Sequence, residues 1–320
     1  MPLKTMISAA ENREPLGTIG IWIQAFRLRY VPTSIFPAMP GSVIAWVSFQ
    51  EFNFWYFVTV IIGVTLHHIA LNMIDDVFDY LHAVDRSHGR EKNPYTGGSG
   101  VLTGGFLSVA QVLAASIFCY LMAIIIAVYL TISVGWPVLI FSGIGLLSSV
   151  FYSTPPIRYG YRGFGELSLF VNFGPVICLG AFYVQTGTIA WEPCVISLVP
   201  GFLMWSMIVI NEIPDYEEDS QAGKLNLVAR LGKKRSIVLY AGGLACAYGT
   251  ILLAVSFRVA PFGVLLGLLS APIAYNSLRI LSENYMDKIG MAPANLAMIK
   301  VHALTLSFLI IGYLAEGAIV

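Results

Sequence analysis

Two short stretches carry most of the chain's capacity for chemistry: Asn72-Met73-Ile74-Asp75-Asp76-Val77-Phe78-Asp79 and Asn211-Glu212-Ile213-Pro214-Asp215-Tyr216-Glu217-Glu218-Asp219. On a helix, Asn72, Asp75 or Asp76, and Asp79 lie three or four residues apart, so one face presents an amide and several carboxylates. Asn211, Asp215 and Asp219 step by four, although Pro214 should kink or restart the helix between them. Like charges at this spacing repel, and near a bilayer each also costs desolvation, so a cation is expected among them. Oxygen donors of this kind suit Mg²⁺, a hard cation that commonly shares its ligands with substrate phosphates. Two bare carboxylate clusters facing one another would repel a diphosphate, whereas with Mg²⁺ between them they would bind it. Arg86, Arg90, Lys92, Arg158, Arg162 and Lys224 fall in loops of the same side and can complete a clamp, though each also fits a plain topology marker.

The elements that must position these residues are membrane helices. Of the 320 residues, 57% are hydrophobic and only 11% charged, with formal net charge zero and a mean hydropathy of +0.75, far from soluble-domain composition. That balance excludes disorder, a collagenous repeat, a disulfide scaffold and a nucleic-acid binder. Cys119, Cys178, Cys194 and Cys246 are dispersed and read as small buried hydrophobes. A span needs roughly 20 apolar residues. Nine candidates meet or approach that length: 31–49, 54–74, 109–133, 136–151, 167–184, 195–213, 237–257, 261–278 and 295–319. The first contains Pro32, Pro37 and Pro40, and the fourth is short. Of the 18 Lys and Arg residues, all but Arg258 and Lys300 fall in the connections of one side. That bias makes those loops and the N-terminus cytoplasmic. Residues 1–20 form a polar cytoplasmic segment without the apolar core of a secretory leader. Asp75 to Asp215 and Asp79 to Asp219 are each offset by 140 residues, four spans along. This predicts two pseudo-repeated four-helix halves whose acidic clusters face each other on one side of the membrane. An amphipathic diphosphate at such a face implies a lipid tail, and metal-bound diphosphate is a good leaving group from an allylic carbon.

These residues resemble the UbiA superfamily of intramembrane prenyltransferases, and most closely its 1,4-dihydroxy-2-naphthoate branch. The first family motif reads Asn-Asp-x-x-Asp; Asp75 replaces its Asn, while Asp76 and Asp79 match. Asp85, six residues on, fits the naphthoate type, where the 4-hydroxybenzoate type would have an acid at Ala83. Tyr152-Ser-Thr-Pro155-Pro156 with Arg158, Tyr161-Arg162-Gly163, Phe173-Gly174-Pro175, Tyr183-Val-Gln185-Thr-Gly187 and Ala222-Gly223-Lys224 agree with the superfamily. Leu225-Asn226 departs from the basic-Thr pair usual after that Gly-Lys. The resemblance implies an all-α, single-domain membrane protein over 1–320, with about nine helices around a central cavity open to lipid. It implies Asp76, Asp79, Asp215 and Asp219 as catalytic carboxylates, with Asp75 joining them as Mg²⁺ ligands. Asn72, Asn211, Asp85, Arg158 and Lys224 would bind the diphosphate. The implied reaction is loss of diphosphate, attack of an aromatic ring carbon on the allylic cation and loss of the ring proton. The implied partners are a polyprenyl diphosphate, an aromatic acceptor and the bilayer, with no obligate protein partner. The implied place is a prokaryotic plasma membrane, though an organelle membrane would give the same pattern.

Three other signals point less clearly. His67 and His68 are adjacent, so they face different sides of a helix and cannot chelate together simply. Thr96-Gly97-Gly98-Ser99-Gly100 can cradle phosphate or serve as a lid, but lacks the Lys-Ser/Thr ending of a P-loop. Asp75-Asp76-x-x-Asp79 also has the form found in soluble polyprenyl diphosphate synthases, against which nine apolar spans argue. Cyclisation of the diphosphate without an acceptor, or transfer to 4-hydroxybenzoate, would use the same ionising groups. A secondary transporter would instead place acids on both halves of the bilayer, where the opposite side has only Glu51, Glu192 and Glu316.

Overall fold

The computed structural model describes residues 17–82, 84 and 93–318. Asp85, Arg86, Arg90 and Lys92, and residues 1–16 of the N-terminal segment, lie outside them. Among the described residues the chain is entirely helical. A short helix α1 (Thr18–Ala25) precedes α2 (Pro32–Phe49), α3 (Phe54–Leu81), α4 (Val109–Val134) and α5 (Pro137–Ser153). Then come α6 (Gly165–Thr186), α7 (Trp191–Glu212), the short helices α8 (Tyr216–Gln221) and α9 (Leu227–Leu231), α10 (Lys233–Ser256), α11 (Phe262–Asn284) and α12 (Ala292–Gly317). Seven of these are long and apolar enough to cross a bilayer, and α2 and α5 coincide with the two remaining expected spans.

Local signals explain the boundaries. The Asn53 side chain caps α3 by accepting from the backbone of Trp55 and Tyr56, and Ser108 with Gln111 forms a reciprocal capping box at α4. Helix α2 persists through Pro37 and Pro40. Helix α6 absorbs Pro175 in one π-helical turn, Asn172–Val176, where a missing N–H is least disruptive. As its proline requires, α7 stops at Glu212 and the chain restarts as α8 at Tyr216.

The outer surface is apolar: Trp55, Ile132, Trp136 and Val238 are each at least 70% exposed, as expected of a protein solvated by lipid rather than water. Cys119 and Cys178 are buried as expected, but Cys194 is half-buried and Cys246 exposed. On a span facing hydrocarbon a thiol needs no burial. Helix α3 packs along α4, and α7 packs along α10, which are the corresponding pairs of the two expected halves. Helices α2 and α6 touch where Gly41 meets the Cys178 carbonyl, and α11 and α12 where Gly263 meets Gly312; a Cβ at any of these glycines would collide with backbone. Such contacts let backbones approach and leave room for cavities between the remaining helices.

Candidate functional site

Helix α3 runs unbroken through its acidic motif, so Asn72, Asp75 and Asp79 share the face that lines a cavity at one end of the bundle. The α7–α8 turn supplies Asn211, Glu212, Asp215, Glu218 and Asp219 to the opposite wall. The two motifs therefore face each other, as the 140-residue offset predicts. Among the described lining residues, six carboxyl groups (Asp75, Asp79, Glu212, Asp215, Glu218, Asp219) meet only three basic ones (Arg27, Lys224, Lys288).

Five of the six have their own support, while Glu212 Oε2 is enclosed without a partner. Lys224 Nζ lies 2.9 Å from Asp79 Oδ2, and the Tyr161 hydroxyl donates to the other oxygen of Asp79. Ser153 donates to Asp75. Thr96 Oγ1 and the Gly97 N–H donate to Asp215 at 3.0 and 3.2 Å. Asn226 Nδ2 donates to Asp219 at 2.7 Å. Lys288 pairs with Glu218 at 2.7 Å. Burial foremost, and then Asp215 and Asp79, push the Asp219 carboxyl up to about 7 against the opposing pull of Lys224. Burial disfavours the Lys224 ammonium, but Asp79, Asp219 and Asp75 outweigh it and hold the group well above its ordinary value. The site thus carries excess negative charge that one buried lysine does not neutralise.

Two expected site residues stand elsewhere. The Asp76 carboxylate is turned away from the cavity lining, 3.1 Å from the Ser99 N–H and 3.4 Å from Arg27. On a helix, adjacent residues cannot share a face, and here Asp75 takes the cavity side. Arg158 also lies off the cavity wall; its guanidinium sits 5.3 Å above the Tyr161 ring and reaches Asp79 only through that residue. The glycine-rich 96–100 segment does direct N–H groups at anions, but the anions are the protein's own Asp76 and Asp215. It is held there by Arg27 and Gln24, which donate to the carbonyls of Gly97 and Ser99.

Sequence reasoning missed several supporting groups. Asn295, a polar residue inside an apolar span, donates to Asn211 Oδ1 at 2.9 Å and accepts from Asn93 at 3.0 Å, fixing the Asn211 amide. Fully buried Glu166 accepts from the Leu227 N–H at 2.6 Å and anchors the chain just after Lys224. A lone polar residue next to or within an apolar run was the available signal for both.

The residues fit Mg²⁺ by charge and donor type, with six carboxyl groups on the cavity lining, while the unpartnered Asn72 amide nitrogen is a donor suited to a phosphate oxygen and not to the ion. Among the described residues no three acidic or His/Cys side chains already converge as a closed cage. That suits an ion which completes its octahedron with phosphate oxygens and water.

A second, apolar cavity lies between α3, α4, α5 and α6, and His68, Leu71, Tyr152, Leu169 and Phe173 line both it and the polar one. The space in and at the mouth of the second cavity is about 1050 Å³. Its described lining contains no Asp, Glu, Lys or Arg.

Comparison with known proteins agrees with this arrangement. Residues 34–298 match the model of the UbiA prenyltransferase family. A 1,4-dihydroxy-2-naphthoate octaprenyltransferase of Mycobacterium tuberculosis is 30% identical over 81% of this chain and 85% of that protein. The Escherichia coli enzyme of the same name is 26% identical over 93% and 96%. Among solved structures, a UbiA homologue from Aeropyrum pernix superposes with a TM-score of 0.67 at 15% identity, covering 88% of this chain and 98% of that one. A homologue from Archaeoglobus fulgidus, bound to GPP and Mg²⁺, gives 0.58 at 15% identity over 90% and 99%. With the family match spanning most of its length and two facing carboxylate motifs inside a membrane bundle, this chain belongs to the UbiA prenyltransferase family.

Proposed function

We propose that the protein transfers a polyprenyl group from polyprenyl diphosphate to 1,4-dihydroxy-2-naphthoate or a related quinone precursor, using Mg²⁺. In this reading it works in a prokaryotic plasma membrane with its carboxylate cavity on the cytoplasmic side. The observation that carries it is the adjacency of two unlike cavities: a carboxylate-lined chamber suited to a metal-bound diphosphate shares five lining residues with an uncharged one suited to a hydrocarbon chain. The names of the naphthoate octaprenyltransferases to which the chain is similar support the acceptor class.

Asn72, Asn211 and Lys224 would bind diphosphate oxygens, while Asp75, Asp79, Asp215 and Asp219 would hold the ion. When bound, Mg²⁺ supplies the positive charge that a departing diphosphate requires. Lys224, which touches Asp79, adds a fixed cation that strengthens as negative charge develops on the leaving oxygen. Leu71, Leu169 and Phe173 keep water from the allylic cation at the junction, and the rings of Tyr152 and Phe173 offer π faces to it. For Asp85 the family motif implies a diphosphate-binding role. Asp76 acts through its hold on the 96–99 segment.

The test is incubation of membranes with Mg²⁺, labelled geranylgeranyl diphosphate and the naphthoate, followed by the product's mass. A prenylated acceptor is expected, with diphosphate release lost in Asp76→Ala and Asp215→Ala. Cyclic hydrocarbon formed without any acceptor would overturn the transferase reading.

A further inference from the structure

We propose that His68 reads a hydroxyl group on the aromatic acceptor, its Nε2 accepting that hydroxyl's hydrogen bond at the neck between the two cavities. This rests on the reading of the reaction as transfer to an aromatic acceptor. His68 is one of the five residues that line both chambers. It lies one turn before Asn72 on α3, so the two Cβ atoms are roughly 5–6 Å apart on the same face. That is where the first carbon of a prenyl chain must sit if its diphosphate occupies the polar chamber and its tail the apolar one.

The tautomer follows from hydrogen-bond bookkeeping. Ser34 Oγ stands 2.7 Å from His68 Nδ1 and 3.0 Å from the Val31 carbonyl. A serine hydroxyl has one hydrogen, and a carbonyl cannot donate. We assign the Ser34 proton to Val31, a contact in which Ser34 can only donate, so that Ser34 accepts from His68 Nδ1. With Nδ1 protonated, the neutral ring has its lone pair on Nε2. Among the described residues Nε2 has no hydrogen-bond partner, and it is not sealed inside the protein. Phe173 meets the ring edge-on at 5.7 Å and 88°, which holds its plane.

Several neighbouring hydroxyls of the apolar chamber are fixed by protein partners, while the Tyr152 hydroxyl stands beside His68 on the lining of both chambers. Tyr159 donates to the Ser148 carbonyl, Ser149 accepts from Tyr120, and Ser142 donates to Val138. Oδ1 of Asn172 is unpartnered but enclosed. Of the five residues that line both chambers, His68 is the one with a ring-nitrogen lone pair, and a phenolic hydroxyl placed beside it donates there. This contact fixes which ring carbon faces the allylic cation. The hydroxyl keeps its proton, and no bond is made or broken in the contact.

The experiment compares wild type, His68→Phe and His68→Gln in nanodiscs, with prenyl diphosphate, Mg²⁺ and either 1,4-dihydroxy-2-naphthoate or its two monomethyl ethers. Phe keeps the ring and removes the lone pair; Gln keeps a donor for Ser34 and an acceptor for the substrate. Wild type should use one methyl ether at least about tenfold less well than the diol. His68→Phe should raise the acceptor KM by about tenfold, leave the prenyl diphosphate KM unchanged and erase that discrimination, while Gln restores it. Discrimination that survives in His68→Phe, or equal loss in Phe and Gln, would overturn the proposal while leaving the transferase reading intact. Wild type that prenylates no aromatic compound would overturn both. If His68→Phe fails to accumulate, absence of methyl-ether discrimination by wild type is itself disproof.

Discussion

Lys224 is the one basic side chain among the described residues that bonds a carboxylate of the first motif from within the second motif's loop, and it does so while largely buried. Removing it leaves Asp75, Asp79 and Asp219 without their shared counter-charge. Because a hydrogen bond to a charged group is worth about 1.5–3 kcal/mol, Lys224→Met should slow diphosphate release by at least about tenfold. An unchanged rate in a stopped assay of pyrophosphate would show that the lysine is not on the leaving group. Asp219 sets a pH dependence of definite sign. Its folded-state value near 7 is raised above the ordinary 3.8, so between about pH 4 and 7 the metal-free folded protein keeps a proton that the unfolded chain has released. Stability without metal should therefore fall as pH rises through that window, and Mg²⁺ affinity should rise with it. Asp219→Asn should flatten both trends in thermal unfolding and calorimetric titration.

At the scale of elements, the departure of Leu225-Asn226 from the family's basic-Thr pair has a local explanation. Asn226 is the N-cap of α9, accepting from the Ala229 N–H at 2.7 Å while its amide donates to Asp219. Thr and Asn are both good N-caps, so the substitution keeps the element and adds a donor to the site. Asn226→Ala should cost about 1 kcal/mol in unfolding measurements, with Asn226→Thr recovering most of it. Gly263→Val, which would drive a side chain into the Gly312 backbone of α12, should cost about 1–3 kcal/mol as an overpacking change; full stability would mean that α11 can shift without penalty. The helices themselves were legible because an apolar run of fixed length is a direct demand of the bilayer. The restart at Tyr216 was legible because Pro214 leaves no alternative. The direction of Asp76 was not: periodicity places Asp75 and Asp76 on different faces, but only the approach of Ser99 and Arg27 decides which of them meets the cavity. The Asn93–Asn295–Asn211 relay was likewise hidden, since its members are brought together only by packing.

Over the whole molecule, zero net charge conceals a segregation. Nearly all bases and most acids fall in the connections expected on one side of the membrane, and within the cavity the described acids outnumber the described bases. In a cysteine-free background, Lys234→Cys should react with an impermeant maleimide only from the cytoplasmic side and Arg258→Cys only from the other. Both positions are exposed and terminate opposite ends of α10; labelling of both from one side would refute the orientation. The shared neck of His68, Leu71, Tyr152, Leu169 and Phe173 separates two tasks along one axis. Everything that breaks the bond lies on one side of it, while Val60, Leu130, Val138 and Val184 line only the chamber on the other. Evolution can therefore reshape that far wall to suit longer or shorter chains without disturbing a single group at the point of cleavage, so lipid length and reaction type are free to drift independently within one scaffold.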